Sequence, residues 1–287
     1  MTTPDFLHLR FHSEFSINDG IVRIDDVVKR AKNDDMPALG ISDLSNLFGM
    51  VKFYKACRNA GLKPIVGCDV WLENEQDRDK PFRVLLICKN RSGYGRLSEL
   101  LTDAYRTNQY RGRSEIRKSW LEQGDNSGLI CLSGAHQGDV GQALLAGNDE
   151  AAMAFARWWS AHFPDSYYLE LQRIALPGVE DCVQDSLWLA AELDLPVVAT
   201  HPIQFMDPDD FKAHEARVCI SEGYVLADKR RPRHFTEEQY FLSRAAMREK
   251  FADVPQALQN TVEIAKRCNL SVQLGKNFLP LFPTPDG

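Results

Sequence analysis

The stretch PALGISDLSNLFGMVKFYKACRNAGLKPIVGCDVWL, residues 37–72, places two short apolar runs on either side of a segment with helical spacing. The runs, residues 37–42 and 64–72, are apolar at nearly every position, as is typical of strands that are covered on both faces. The segment between them, residues 46–61, ends at Gly61, the residue type that most often closes a helix. A strand, a helix and a second strand in this order predict a parallel βαβ unit.

The same alternation of apolar runs and helical segments continues along the chain on both sides of this unit. Further apolar runs are FLHLR (6–10), FRVLLIC (82–88), GLICLS (128–133), YYLELQ (167–172) and LPVVAT (195–200). About seven such strands alternating with helices predict an α/β fold closed into a distorted seven-stranded (β/α)7 barrel, since a barrel of this kind commonly needs about 250 residues.

After about residue 205 the apolar runs stop and helical patterns follow one another, over residues 207–223, 236–253 and 254–269. The sequence therefore predicts three parts: a barrel, a helical extension packed on it, and a proline-rich extended end that leads into a larger polypeptide. Their predicted ranges are 1–205, 206–275 and 276–287.

Composition limits the possible functions. The formal net charge of -6 argues against nonspecific nucleic-acid binding as the main task, because phosphate contact normally requires a cationic surface. The sequence contains no apolar run near 18 residues, so we expect a cytoplasmic protein that does not enter a membrane. Seven cysteines form no CxxC pair, and several lie in apolar runs, which predicts reduced core residues rather than disulfides or a zinc cluster.

In a parallel α/β barrel the functional residues lie at the carboxyl ends of the strands. Charged side chains and histidines lie at or near these positions, namely Arg10, His12, Asp19, Asp43, Asp69 and His201, and Arg83 opens the run 82–88. Carboxylates and imidazoles are typical ligands of hydrolytic metal clusters, but a guanidinium is always protonated and offers only donors. The two arginines therefore place fixed positive charge where a cation would be held. Asp43 also precedes a helix, where capping of backbone amides explains it equally well.

Eight collinear segments carry a family resemblance: HLRFHSEFSINDG (8–20), PALGISDLSNLFGMVKFY (37–54), GLKPIVGCDVWL (61–72), KNRSGYGRLSELL (89–101), GLICLSGAHQGDVG (128–141), PVVATHPIQF (196–205), AHEARVCISEG (213–223) and NTVEIAKRCNL (260–270). Together they resemble the PHP (polymerase and histidinol phosphatase) domains of bacterial replicative DNA polymerase α subunits. The resemblance implies a TIM-like barrel whose active members hold a cluster of divalent metals at the strand ends.

Carried over position by position, the resemblance implies that most metal ligands are missing. Metal-competent side chains remain at three of nine ligand positions, His12, Asp19 and Asp69, the last in place of a glutamate. The other six positions hold Arg10, Leu44, Arg83, Ala135, Pro202 and Gln204. His201 lies one position before an expected aspartate and could replace it only through a shift of register. We therefore expect no bound metal and no catalytic residue in this chain.

Buried carboxylates that lose their metals must be paired or protonated. We predict that Arg10 and Arg83 form a salt-bridged network with Asp19 and Asp69. The alternative is that Arg10 points to solvent at the rim of the barrel.

The function implied by the resemblance is a catalytically inactive scaffold within a replicative DNA polymerase, which docks the proofreading 3′–5′ exonuclease subunit. Implied partners are that exonuclease, the polymerase core of the same chain and DNA, with magnesium serving the parent polymerase and no cofactor here. The alternative is a residual metal-dependent phosphoesterase, pyrophosphatase or 3′–5′ exonuclease. A stand-alone enzyme similar to histidinol phosphatase is disfavoured, because the ligands it needs are those that are missing.

Two basic stretches remain. YRTNQYRGRSEIRK (105–118) combines arginines with tyrosines, which suits contact with nucleic acid or an acidic partner, although we favour a solvated loop. DKRRPRHF (228–235) is interpreted as a turn that contacts the polymerase body or DNA.

Overall fold

A computed structural model of the chain describes residues 5–277 and residue 279. Its strands are β1 (Ala38–Ile41), β2 (Lys63–Leu72), β3 (Phe82–Cys88), β4 (Gln109–Tyr110), β5 (Arg113–Ile116), β6 (Leu129–Leu132), β7 (Tyr167–Leu171) and β8 (Val197–Ala199). Its helices are α1 (Ile24–Asn33), α2 (Met50–Ala60), α3 (Arg91–Thr107), α4 (Lys118–Glu122), α5 (Asp139–Leu145), α6 (Asp149–His162), α7 (Val179–Leu193), α8 (Phe211–Glu222), α9 (Arg244–Lys250) and α10 (Pro255–Arg267).

The predicted βαβ unit is confirmed. Strands β1 and β2 pair in parallel, with Ala38 opposite Lys63, and α2 crosses between them. Helix α2 ends at Gly61, whose φ of 80° is a conformation that glycine adopts without steric cost. Parallel pairing recurs between β6 and β7 and between β7 and β8, so these strands all end at one edge of the sheet, called here the carboxyl edge.

Strand β3 departs from the predicted parallel arrangement. It runs antiparallel to both β2 and β6, because residues 73–81 connect β2 directly to β3 without a crossover helix. The reversal places the start of β3, rather than its end, at the carboxyl edge, where Arg83 lies opposite Trp71.

The first predicted strand, residues 6–10, forms no regular strand, but the backbone of residues 6–12 joins the two ends of the sheet. On one side Gly40 N donates to His8 O at 2.8 Å, and on the other His12 N donates to Ile203 O at 2.9 Å. Between these pairings the interior is filled by buried apolar side chains, among them Leu7, Leu9, Ile65, Leu85, Ile87, Ile130, Leu132 and Val198. The predicted α/β fold is confirmed, with residues 6–12 and β1, β2, β3, β6, β7 and β8 as its strand layer.

Two local predictions were wrong. Within residues 105–118, favoured as a solvated loop, the chain finishes α3 and forms the hairpin β4–β5. The helix predicted over residues 236–253 is confined to α9, because Gln204 N donates to Gln239 O and draws this segment alongside the chain after β8. Ser243 then begins α9, its hydroxyl accepting a hydrogen bond from Ala246 N.

The predicted division between the barrel and the helical extension at residue 205 stays a prediction. The proline-rich segment, residues 276–287, lies mostly outside the described residues. All seven cysteines are buried and free, as predicted. In the described part of the chain, no helix has the length and apolar character needed to cross a membrane.

Candidate functional site

The carboxyl edge brings together a compact set of buried charged groups. They come from residues 6–12, the loop that follows, β2, β3 and β7, and comprise Arg10, His12, Asp19, Asp69, Arg83 and Glu170. Arg10 is only 3% exposed, so the alternative in which it points to solvent at the rim is wrong.

Asp69 is the centre of this ionic site. Its Oδ2 atom accepts hydrogen bonds from Arg10 Nη1 at 2.6 Å and from Arg83 Nη2, and it lies 3.2 Å from His12 Nε2. Burial alone would raise the pKa of the Asp69 carboxyl, but Arg10 and Arg83 outweigh this effect and hold the pKa well below its usual range. Two guanidinium donors and one imidazole nitrogen thus converge on one carboxylate oxygen.

Glu170 is a member of the site that the sequence analysis missed. Arg10 donates from Nε to Glu170 Oε1 at 3.0 Å and from Nη2 to Oε2 at 3.2 Å, a two-point contact that fixes the guanidinium plane. Thr200 Oγ1 donates to Oε1 at 2.5 Å, and Gly134 N donates to Oε2 at 3.1 Å. The available signal was an acid inside the apolar run YYLELQ, since a carboxylate in a covered strand needs a cationic partner.

Asp19 pairs with His12 rather than directly with an arginine. His12 Nδ1 lies 2.8 Å from Asp19 Oδ2, and Ser16 Oγ donates to Asp19 Oδ1 at 2.6 Å. Burial favours a neutral imidazole, but Asp19 and then Asp69 outweigh it and raise the pKa of His12 to about 9. His12 is therefore an imidazolium at neutral pH, and the site holds three cations against Asp19, Asp69 and Glu170.

Asp43 and His201 lie outside this network. Asp43 does not cap α2; its carboxylate accepts from Ser13 N at 2.7 Å and from Ser13 Oγ at 2.8 Å, and burial raises its pKa to about 6. His201 Nε2 lies 2.9 Å from Tyr240 O, and burial lowers the pKa of its imidazole to about 3. His201 thus binds the segment before α9 and does not join the carboxylates of the site.

A narrow cleft lies over Arg10 and Arg83, lined also by Pro202 and Gln204. Its space of about 10 Å³ suffices for about one water molecule, whereas sites for small-molecule ligands commonly occupy roughly 300 Å³ or more. Within the described part of the chain, Arg83 Nε and His136 Nδ1 are buried here without hydrogen-bond partners. A single bridging water is what such a cleft accommodates.

The fold and the site together define an α/β domain whose strand-end cluster is made of ion pairs. Residues 8–174 match the model of the PHP domain, more than half of the chain, and the chain belongs to this family.

The curated relatives are DNA polymerase III subunits alpha. Identity is 61% to the protein of Neisseria meningitidis serogroup A and 45% to that of Escherichia coli K12, in both cases over 100% of this chain and 25% of the relative. The chain thus spans about a quarter of the length of these relatives. Among solved structures, an amidohydrolase from Chromobacterium violaceum aligns with a TM-score of 0.48 and 13% identity, over 74% of this chain and 96% of its own.

The residues present do not fit the divalent cluster that the family resemblance implies. A cation beside Asp69 Oδ2 would meet the positive charges of Arg10, Arg83 and His12 at hydrogen-bonding distance. Across residues 5–277, no group of three or more histidine, cysteine, aspartate or glutamate side chains is arranged to hold a metal ion. Of the other predicted ligand positions, Leu44 and Ala135 offer no side-chain ligand.

The His12 imidazolium predicts a loss of stability on the alkaline side. Its pKa is about 9 when folded and about 6.5 when unfolded, so its contribution is complete below pH 6.5 and is lost as the pH rises through 9. Between pH 6.5 and 8 the difference in free energy of unfolding between the wild type and His12→Gln should therefore shift by about 2 kcal/mol against the wild type. Urea unfolding of both proteins at several pH values measures this difference.

The ionisation of cysteines in the unfolded chain also changes the free energy of unfolding over this pH range. It affects both proteins equally, so it drops out of the difference between them. Stability curves that run parallel for the wild type and His12→Gln over pH 6.5 to 8 would show that His12 is neutral in the folded protein.

Proposed function

We propose that this chain is the PHP domain of a replicative DNA polymerase α subunit and that it serves as a scaffold without hydrolytic activity. The observation that carries the proposal is the convergence of Arg10, Arg83 and His12 on Asp69 Oδ2. These groups supply the positive charge that divalent ions supply in active members of the family. The site then stabilises the strand ends and performs no chemistry.

The polymerase context is supported by the match of the whole chain to DNA polymerase III subunits alpha. On this proposal the protein works in the cytoplasm, the parent polymerase extends DNA with magnesium, and the polymerase core and DNA are its further partners. The domain's own task is to dock the proofreading 3′–5′ exonuclease subunit beside the polymerase.

A second candidate is a residual phosphoesterase, pyrophosphatase or 3′–5′ exonuclease that works with fewer metals. It is favoured by one observation, the contact of His12 with both Asp19 and Asp69, the three positions that keep metal-competent side chains. For this candidate a metal must displace Arg83 or Arg10 from Asp69, which leaves a buried guanidinium without its partner.

Adding manganese or zinc should separate the two candidates. We expect no turnover of a phosphomonoester, of pyrophosphate or of single-stranded DNA above the background of His12→Ala and Asp19→Ala, and no stoichiometric metal by elemental analysis. Metal-dependent turnover that both substitutions abolish would establish the second candidate. Circular dichroism of each variant serves as the control for folding.

A further inference from the structure

The amino edge of the sheet, opposite the carboxyl edge, carries a second group of charged side chains. Strands β2 and β7 begin at this edge, and β3 ends there because it runs antiparallel to its neighbours. Lys63 is the first residue of β2, Lys89 directly follows β3, and Ser166 directly precedes β7. Helix α10 ends against the same edge at Arg267, which contacts Ser166. The reversal of β3 thus brings a lysine to an edge that also receives the end of a helix.

Two cations share one buried hydroxyl group at this edge. Ser166 Oγ accepts hydrogen bonds from Lys89 Nζ at 3.1 Å and from Arg267 Nη2 at 2.8 Å. Arg267 Nη1 also donates to Tyr168 Oη at 2.9 Å. Ser166 is 3% exposed and Tyr168 7%, whereas the two cations are only partly buried and reach solvent. We call these four residues the amino-edge cluster.

No acid neutralises the two positive charges of the cluster. In the described part of the chain, the Lys89 and Arg267 side chains donate to hydroxyl groups alone, and neither forms an ion pair. Asp125 and Asp165 act on Lys89 from a longer distance, but burial and the charge of Arg267 outweigh them and lower the pKa of the Lys89 ammonium. Cys268 beside them stays a neutral thiol, since burial raises its pKa to about 12. Two like charges are thus held together without a counter-charge, which is unfavourable unless an anion binds.

Stabilisation of the end of α10 does not account for the direction in which Arg267 points. A cation in the last turn of a helix ordinarily contacts the free carbonyl groups there. Lys63 has this role for α10, because its Nζ donates to Ala265 O at 2.7 Å. The Arg267 guanidinium instead directs both Nη atoms at the two hydroxyl groups of the cluster.

The hydroxyl groups of the cluster are also able to donate. Ser166 Oγ and Tyr168 Oη each accept from a cation, and in the part of the chain that the structure describes neither gives its own hydrogen to an acceptor. Lys89 Nζ uses one of its three N–H groups in the contact with Ser166. The four side chains therefore offer two full positive charges and several free donors at one place, and an anion with several oxygen atoms satisfies both.

We propose that the amino-edge cluster binds a phosphate group. The double negative charge of a phosphate matches the two cations, and its oxygen atoms accept from the guanidinium, the ammonium and the hydroxyl groups together. A carboxylate would balance only one of the cations. The phosphate is either free inorganic phosphate or the terminal phosphate of a nucleotide, which offer the same charge and oxygen atoms. The site lies at the opposite edge of the sheet from the ionic site and does not depend on the proposed function.

The test is calorimetric titration of this chain with inorganic phosphate and, separately, with a nucleoside monophosphate, at constant ionic strength. The wild type should bind one phosphate group per chain. Lys89→Gln and Arg267→Gln should each weaken binding by about tenfold or more, because each removes a charged hydrogen-bond donor. Tyr168→Phe should weaken it less, because it removes one neutral donor and keeps the ring. Lys266→Gln is the matched control: Lys266 adjoins Arg267 but pairs with Glu263 at 2.7 Å, so its replacement should leave the affinity unchanged.

Thermal unfolding separates a binding site from a structural contact. Without phosphate, Lys89→Gln should unfold at the temperature of the wild type or above it, because the substitution removes repulsion from Arg267. Added phosphate should raise the Tm of the wild type and leave that of Arg267→Gln unchanged. A lower Tm of phosphate-free Lys89→Gln would assign the lysine a structural role and overturn the proposal.

The remaining outcomes are also decisive. Tighter binding of the nucleotide than of inorganic phosphate would support the proposal with a nucleotide as the source, and equal binding would support it with free phosphate. Absence of binding, or binding that the Lys89 and Arg267 variants retain, overturns the proposal. Acetate that binds as tightly as phosphate would show a carboxylate site and overturn it. Affinity for a DNA oligonucleotide that these variants lose, without binding of phosphate, would likewise overturn it.

Discussion

Arg10→Ala should lower the free energy of unfolding by about 3 to 5 kcal/mol, the usual cost of removing one partner from a buried ion pair. The substitution deprives Asp69 of one donor and Glu170 of its two-point contact, and both carboxylates stay buried. Because both carboxylates stay buried without this partner, the loss is much larger than for a surface arginine. Urea unfolding at pH 7, monitored by circular dichroism, measures it.

Arg30→Ala is the matched control. Arg30 pairs with Asp207 at 3.1 Å, but both side chains are roughly half exposed, so the cost should be at most about 1 kcal/mol. Equal costs for the two substitutions would show that the Arg10 ion pairs do not stabilise the fold.

Mild acid should unfold this protein. Burial lowers the pKa of His8, His136 and His214 to about 4 and that of His201 to about 3, against about 6.5 in the unfolded chain. The stability that these histidines contribute is therefore present above pH 6.5. It is lost as the pH falls toward their pKa values in the folded protein. Asp43, with its pKa raised to about 6, opposes them by taking up one proton in the folded state.

On unfolding near pH 5 the chain takes up about three protons net. The free energy of unfolding should therefore fall by about 4 kcal/mol for each unit by which the pH decreases. A domain with an ordinary stability of roughly 5 to 15 kcal/mol then approaches its unfolding midpoint between about pH 4 and 5. Unfolding free energies from pH 7 to 4.5 measure the slope.

His214→Phe provides the control for this acid sensitivity. His214 is fully buried among Phe205 and Phe235, and neither of its ring nitrogens has a hydrogen-bond partner in the described part of the chain. Replacing it with a ring that cannot titrate should reduce the slope by about 1.4 kcal/mol per pH unit. An unchanged slope in this variant would mean that His214 does not take up its proton on unfolding.

Periodicity predicted the α/β fold because runs such as residues 64–72, apolar at nearly every position, alternate with segments of helical spacing. It did not predict the direction of β3, since an apolar run looks the same in either direction and the link over residues 73–81 carries no distinctive signal. The helix predicted over residues 236–253 does not extend before Ser243 for a tertiary reason, namely that the Gln239 carbonyl accepts a hydrogen bond from Gln204 N.

For the site, the predicted pairing of Arg10 and Arg83 with Asp69 is confirmed, although Arg83 begins β3 and reaches the carboxyl edge only because that strand is reversed. Glu170 was missed because it precedes the end of its run by two residues. The pairing of Asp19 with His12 depends on the loop between them, whose turn at Ile17 no propensity favours.

The sharing of one Asp69 oxygen by three positive groups also couples the effects of substitutions at these positions. Removing either arginine alone strands a carboxylate, while the other arginine still repels a cation. Positions 10 and 83 should therefore show strong epistasis, which follows from electrostatics at a single atom.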